Sequence, residues 1–200
     1  NNEEKLSTAI DEMRSLGVKV FIGPTTFDEF DKVEKYNDLI FISPSNINPE
    51  FSKNIISIGV SLDSQLIALK EFLKKQKKTK TIIMYPQNEY LDFIEKKIKG
   101  LDLKNAKTFT YSPNPEVLTG EIEILTNYAK RKRNLQLRKK IFEDKEDEQS
   151  LKELERLEQL YTLGSVGFDS VIIIDFGNNL KSVLTSLVYT DVNQNDVLFT

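Results

Sequence analysis

Four short apolar runs, each ending in a turn of small, polar or hydroxyl residues, constrain this chain most. They are "VFIGPTT" from Val20, "LIFISPSN" from Leu39, "TIIMYPQN" from Thr81 and "SVIIIDFGN" from Ser170. An apolar run without polar alternation is a strand covered on both faces, the condition of a parallel sheet flanked by helices. Between the runs the period changes from two to 3.6, with Leu6, Ile10 and Met13, or Leu66, Leu69 and Leu73, recurring on one helical face. Strand and helix alternate from end to end, which predicts an α/β fold with parallel sheets.

Local signals place the elements. Gly17 ends a helix over Glu3–Leu16, and Thr26 with Glu29 forms a capping box for a helix near 27–36. Further helices are expected at 64–75, from Asn88 or Glu89 to Lys99, and over 180–190, with strands at 107–111 and 196–200. "YSPNPE" is a turn, and one helix should run from Val117 to Leu137 or beyond. Ser150 with Glu153 opens another helix, carrying Leu151, Leu154, Leu157 and Leu160 at helical intervals. Because "KRKRNLQLRKK" is basic and "EDKEDEQ" acidic, residues of about 127–162 read as a charged insert of two helices joined by an acidic bend. Such an insert either packs on its leucines or offers a docking surface to a protein partner. "IISIGVS", at Ile55–Ser61, reads as an extended connection between a partial first lobe, 1–61, and a second lobe, 62–200.

The chain has neither His nor Cys. That excludes Ser-His-Asp and Cys-His nucleophile systems, thiolate zinc sites and an imidazole base. A pair of carboxylates could still serve a hydrolase, but no constellation stands behind one, and no calcium-loop pattern appears, so neither an enzyme nor a metal or cofactor is expected. A net charge of −3 supplies no drive toward nucleic acid. No apolar run approaches the roughly 20 residues of a membrane-spanning helix. The first residues lie inside a helical pattern without an initiating Met, signal peptide or lipobox, so the sequence reads as a piece of a longer chain.

Parallel strands deliver their carboxyl ends to one edge, where helix N-termini present free N–H groups. Thr25, Thr26, Ser43, Ser45 and Asn46 would gather there in the first lobe, suited to a carboxylate. Asn88, Glu89, Tyr90, Asp175 and Asn178 would face them from the second, with Asp175 suited to an ammonium group. A small-molecule ligand such as an amino acid fits this set, while the same Ser and Thr residues fit ordinary helix caps equally well.

The succession "FIGPTT", "FISPSN", "IISIGVSLDSQLIALKEFL", "TIIMYPQNEY" and "FDSVIIIDFGNNL" resembles the type I periplasmic-binding-protein-like superfamily over nearly the whole chain. That resemblance implies two Rossmann-like lobes, present here in part, closing on a ligand. Within the superfamily the charged insert followed by "YTLGSVGFDSVIIID" is most similar to the penicillin-binding protein activator lipoproteins. Substrate-binding proteins of amino-acid ABC transporters come next, but Leu91 stands after Tyr90 where they usually carry glycine. Membership of the activator group implies a non-catalytic periplasmic lipoprotein of the outer membrane that stimulates a peptidoglycan synthase.

Overall fold

The computed structural model describes residues 2–25, 27–45, 53–103 and 105–200. It is an α/β protein with two parallel sheets, divided into units Asn1–Ala68 and Leu69–Thr200, the division falling inside one helix. No helix among the described residues is long and apolar enough to cross a membrane.

The first unit contains α1 (Asn2–Ser15), β1 (Val20–Ile22), α2 (Phe27–Glu34), β2 (Ile40–Ser43), β3 (Ile55–Ser57) and the start of α3 (Leu62–Lys75). Its sheet has the order β1-β2-β3, with Phe21 beside Phe41 and Phe41 beside Ile55. That row packs with Ile10, Val33, Tyr36 and Leu39 into one core, and the Phe21 and Phe41 rings stack at 5.4 Å. Alternate residues in the strands and just after β3, Val20, Ile22, Ile40, Ile56 and Ile58, are exposed, Ile22 at 87%. A parallel sheet is ordinarily covered on both faces. Here one face of the sheet has its helices and the other is open among the described residues.

The second unit continues with β4 (Thr81–Pro86), α4 (Leu91–Lys99), β5 (Lys107–Tyr111), α5 (Pro115–Leu125), α6 (Tyr128–Glu143), α7 (Glu148–Glu158), β6 (Ser170–Ile173), α8 (Gly177–Tyr189) and β7 (Leu198–Phe199). The sheet order is β5-β4-β6-β7, every pair parallel. All six residues of β4 are buried, as a central strand requires. Ile82, Met84, Tyr111 and Val171 pack with Leu118 and Ile122 of α5 and with Val183 and Leu187 of α8.

Two local expectations are corrected. The single helix expected from Val117 is two, because Asn127 takes φ +52°, just after Thr126, whose N–H and hydroxyl both close the last turn on Ile122 O (2.9 and 2.8 Å). Asn tolerates this left-handed conformation better than most residues, so α5 stops there and α6 sets off afresh. The N-cap expected at Ser150 lies three residues earlier. Asp147 accepts from Ser150 N at 3.0 Å and from Ser150 Oγ at 2.6 Å, so Ser150 is a buried first-turn residue.

Candidate functional site

In the second unit β5, β4 and β6 end side by side, Pro86 against Tyr111 and Met84 against Ile173. Beyond these ends the chain turns into α4 and α8. Asn88 uses its side chain to accept from Tyr90 N (3.0 Å), which shapes the turn into α4. Glu89 is exposed, Tyr90 half-buried, and Asn178 lies exposed in the first turn of α8. Asp175 joins β6 to α8: Oδ1 accepts from Phe176 N (2.7 Å), and Oδ2 accepts from the Tyr111 hydroxyl (2.6 Å). Burial, reinforced by this bond to a carboxylate, raises the Tyr111 pKa far above the usual phenol range, so the phenol stays a donor. Asn88, Glu89, Tyr90, Asp175 and Asn178 therefore share one sheet edge. Tyr111 and Gln87, whose Nε2 donates to Thr110 Oγ1 at 3.2 Å, belong to it as well.

The first unit treats its hydroxyls differently. Ser43 is wholly buried; its Oγ donates to Pro24 O (2.5 Å) and accepts from Ser45 N (3.1 Å). The Ser45 carbonyl in turn accepts from Ser57 Oγ at 2.9 Å, so Ser43 and Ser45 stitch the ends of β2 and β3 to the turn after β1. Gly59 fits this knot because a Cβ there would run into the Ser45 and Pro44 carbonyls. Thr25 is exposed, and its N–H donates to the Glu29 carboxylate (3.2 Å). Thr26 and Asn46 lie outside the described residues.

The charged insert is the best-defined polar arrangement in the second unit. Arg131, 5% exposed, donates from Nε to Gly164 O (3.1 Å), from Nη1 to Thr190 O (2.9 Å), and from Nη2 to Thr162 Oγ1 and Asp191 O (2.7 Å each). Its carboxylate neighbour is Asp191, at 3.7 Å. One guanidinium thus pins α6 to the segment after α7 and to the C-terminal end of α8, where carbonyls lack helical partners. Burial lowers the Arg131 pKa and the Asp191 carboxylate opposes that shift, leaving the group charged.

Beside this anchor lies a cavity of about 530 Å³, lined by Thr79, Lys80, Arg131, Asp169, Asp191 and Val197 among others. It stands at the amino edge of the sheet, opposite the strand ends where α/β sheets take ligands. Asp169 is consumed there as a clamp: it accepts from Thr79 N (2.9 Å), Thr79 Oγ1 (3.1 Å) and Lys80 N (3.0 Å). Burial works to raise its pKa, but these donors outweigh it and hold the carboxyl below its ordinary range. Among the described residues no three His, Cys, Asp or Glu side chains gather as metal ligands.

Tyr111 could have been found in the sequence, since it ends the alternating strand "KTFTY" directly before the turn "SPNP". Arg131 could not be told from its neighbours in "KRKR" except by standing one helical turn before Leu135. No family model matches the sequence, and no curated protein gives a significant match.

Proposed function

We propose that this chain is a non-catalytic periplasmic module of the type I binding-protein-like class. In that reading it regulates cell-wall synthesis by activating a peptidoglycan synthase, a penicillin-binding protein, from an outer-membrane lipoprotein. The observation that carries the reading is the α6–α7 hairpin. A right-handed β–α–β crossover from β5 to β6 needs one helix, and α5 fulfils that role with Leu118 and Ile122 in the sheet's core. The hairpin is therefore additional to the needs of the fold. Arg131 nevertheless holds it with four hydrogen bonds, two of them to the Thr190 and Asp191 carbonyls at the end of α8, as a rigid interaction element would be held. Affinity capture with the full-length protein against periplasmic peptidoglycan synthases tests this; retention of one of them is expected, and retention of none sinks the proposal.

A solute receptor for amino acids or similar molecules is the second reading, favoured by Asn88, Glu89 and Asn178 at one sheet edge. Against it, Ser43 is spent internally, and both Asp175 oxygens already accept hydrogen bonds. A thermal-shift screen separates the two. A bound solute at 100 times its dissociation constant stabilises by about 2.7 kcal/mol, and the regulatory reading predicts a flat response to amino acids and small peptides.

A further inference from the structure

α6 carries seven basic residues, Lys130, Arg131, Lys132, Arg133, Arg138, Lys139 and Lys140, against the single acid Glu143, a net charge of +6 in a chain of net −3. Arg131 and Leu135 mark its buried face. Lys130, Arg133, Leu137, Lys140 and Ile141 recur at spacings of three and four on the opposite face, and all five are exposed, Leu137 and Ile141 by about half. Among the described residues Lys130, Arg133 and Lys140 have no ion-pair partner, whereas α7 satisfies part of its charge within itself, Lys152 with Glu148 and Arg156 with Glu153. Solubility needs no half-exposed Leu and Ile one turn apart. A purely electrostatic face would have no use for them either.

We infer that the outer face of α6 is the surface by which this protein grips its partner, docking on a shallow apolar groove rimmed by Asp and Glu on a protein. The inference rests on the regulatory reading, in which that protein is a peptidoglycan synthase. Leu137 and Ile141, one turn apart, enter the groove as anchors of a helix-in-groove contact. Lys130, Arg133 and Lys140 meet the acidic rim. Rim charges govern approach and orientation, so association accelerates at low salt. The buried Arg131 on the opposite side holds the helix still, so that no ordering of α6 is needed on binding.

Direct binding of the full-length protein to the synthase it captures tests this, using three variants and wild type. Lys130→Glu, Arg133→Glu and Lys140→Glu together should weaken binding at least about tenfold, chiefly through slower association, and remove most of its salt dependence. Leu137→Ser with Ile141→Ser should weaken binding through faster dissociation. The control Lys74→Glu, Lys75→Glu and Lys77→Glu changes net charge equally and should leave binding within about twofold. Every substituted side chain is exposed, and unchanged circular dichroism confirms folding. If wild type binds and the α6 variants bind as well, or the control weakens binding equally, this face is not the contact and the regulatory reading stands. If wild type binds no synthase, that reading falls and the inference with it. Binding of α6 to anionic phosphatidylglycerol vesicles, lost in the charge variant while synthase binding persists, also overturns the protein contact.

Discussion

Replacing Arg131 by Met removes the guanidinium while keeping a long apolar stem, and so isolates the anchor of the hairpin. Three carbonyls, Gly164, Thr190 and Asp191, lose a charged donor, and Thr162 keeps only its bond to Asp191. Hydrogen bonds to charged groups contribute about 1.5–3 kcal/mol each, and adding four of them overshoots. The four share one group whose desolvation is relieved by the substitution, and the adjoining cavity lets water reach some of the orphaned carbonyls. A net loss of about 3–5 kcal/mol follows, as for breaking a buried charged pair. For a chain of 200 residues, at about 2–4 °C per kcal/mol, the melting temperature falls by roughly 6–20 °C. Arg131→Lys retains the charge without the fork, and should recover less than half of the difference. Urea unfolding followed by circular dichroism measures the loss, and hydrogen exchange should show the α6 amides opening first. A cost below about 1 kcal/mol for Arg131→Met, with α6 still protected, would refute the reasoning.

Three further experiments probe other parts of the structure. Gly59→Ala should destabilise the first unit by about 1–3 kcal/mol, since the new methyl meets backbone that cannot swing away; an unchanged urea midpoint contradicts the close approach. Tyr111→Phe should cost about 1–3 kcal/mol in urea unfolding, because Asp175 loses its phenol donor, while Asp175→Asn combined with Tyr111→Phe should add less than it costs alone; strict additivity of the two contradicts the bond. Asp169 has its folded pKa below the ordinary 3.8, so its contribution is present in full above that value and disappears as pH falls through the lower folded one. Asp169→Asn should therefore cost about 1–2 kcal/mol near neutrality and progressively less below pH ~3.8; an equal cost at both ends contradicts the clamp.

The alternation of strand and helix was legible because the middle of a buried parallel strand is apolar, as Ile82, Ile83, Met84 and Tyr85 of β4 illustrate. Boundaries were less so. The break after Thr126 depends on Asn127 taking a left-handed φ of +52°, a choice that helical periodicity does not register. Asp147 won over Ser150 as cap because each is a competent acceptor, and the burial of Ser150 decides between them. Of the expected site, the sheet edge bearing Asn88, Asp175 and Asn178 followed from topology alone. Whether a serine at a strand end faces outward or ties strands together did not: Ser43 does the latter, and residue type says nothing of it. Arg131 stayed hidden for a related reason, since in a run of cations only the helix phase separates the anchor from the solvated face.

The regulatory role is tested most directly by the rate at which a purified peptidoglycan synthase polymerises glycan strands with the full-length protein titrated in. The rate should rise and saturate with protein concentration, and should rise less with the Lys130→Glu, Arg133→Glu, Lys140→Glu variant. A rate indifferent to the protein, for every periplasmic synthase tried, would contradict that role.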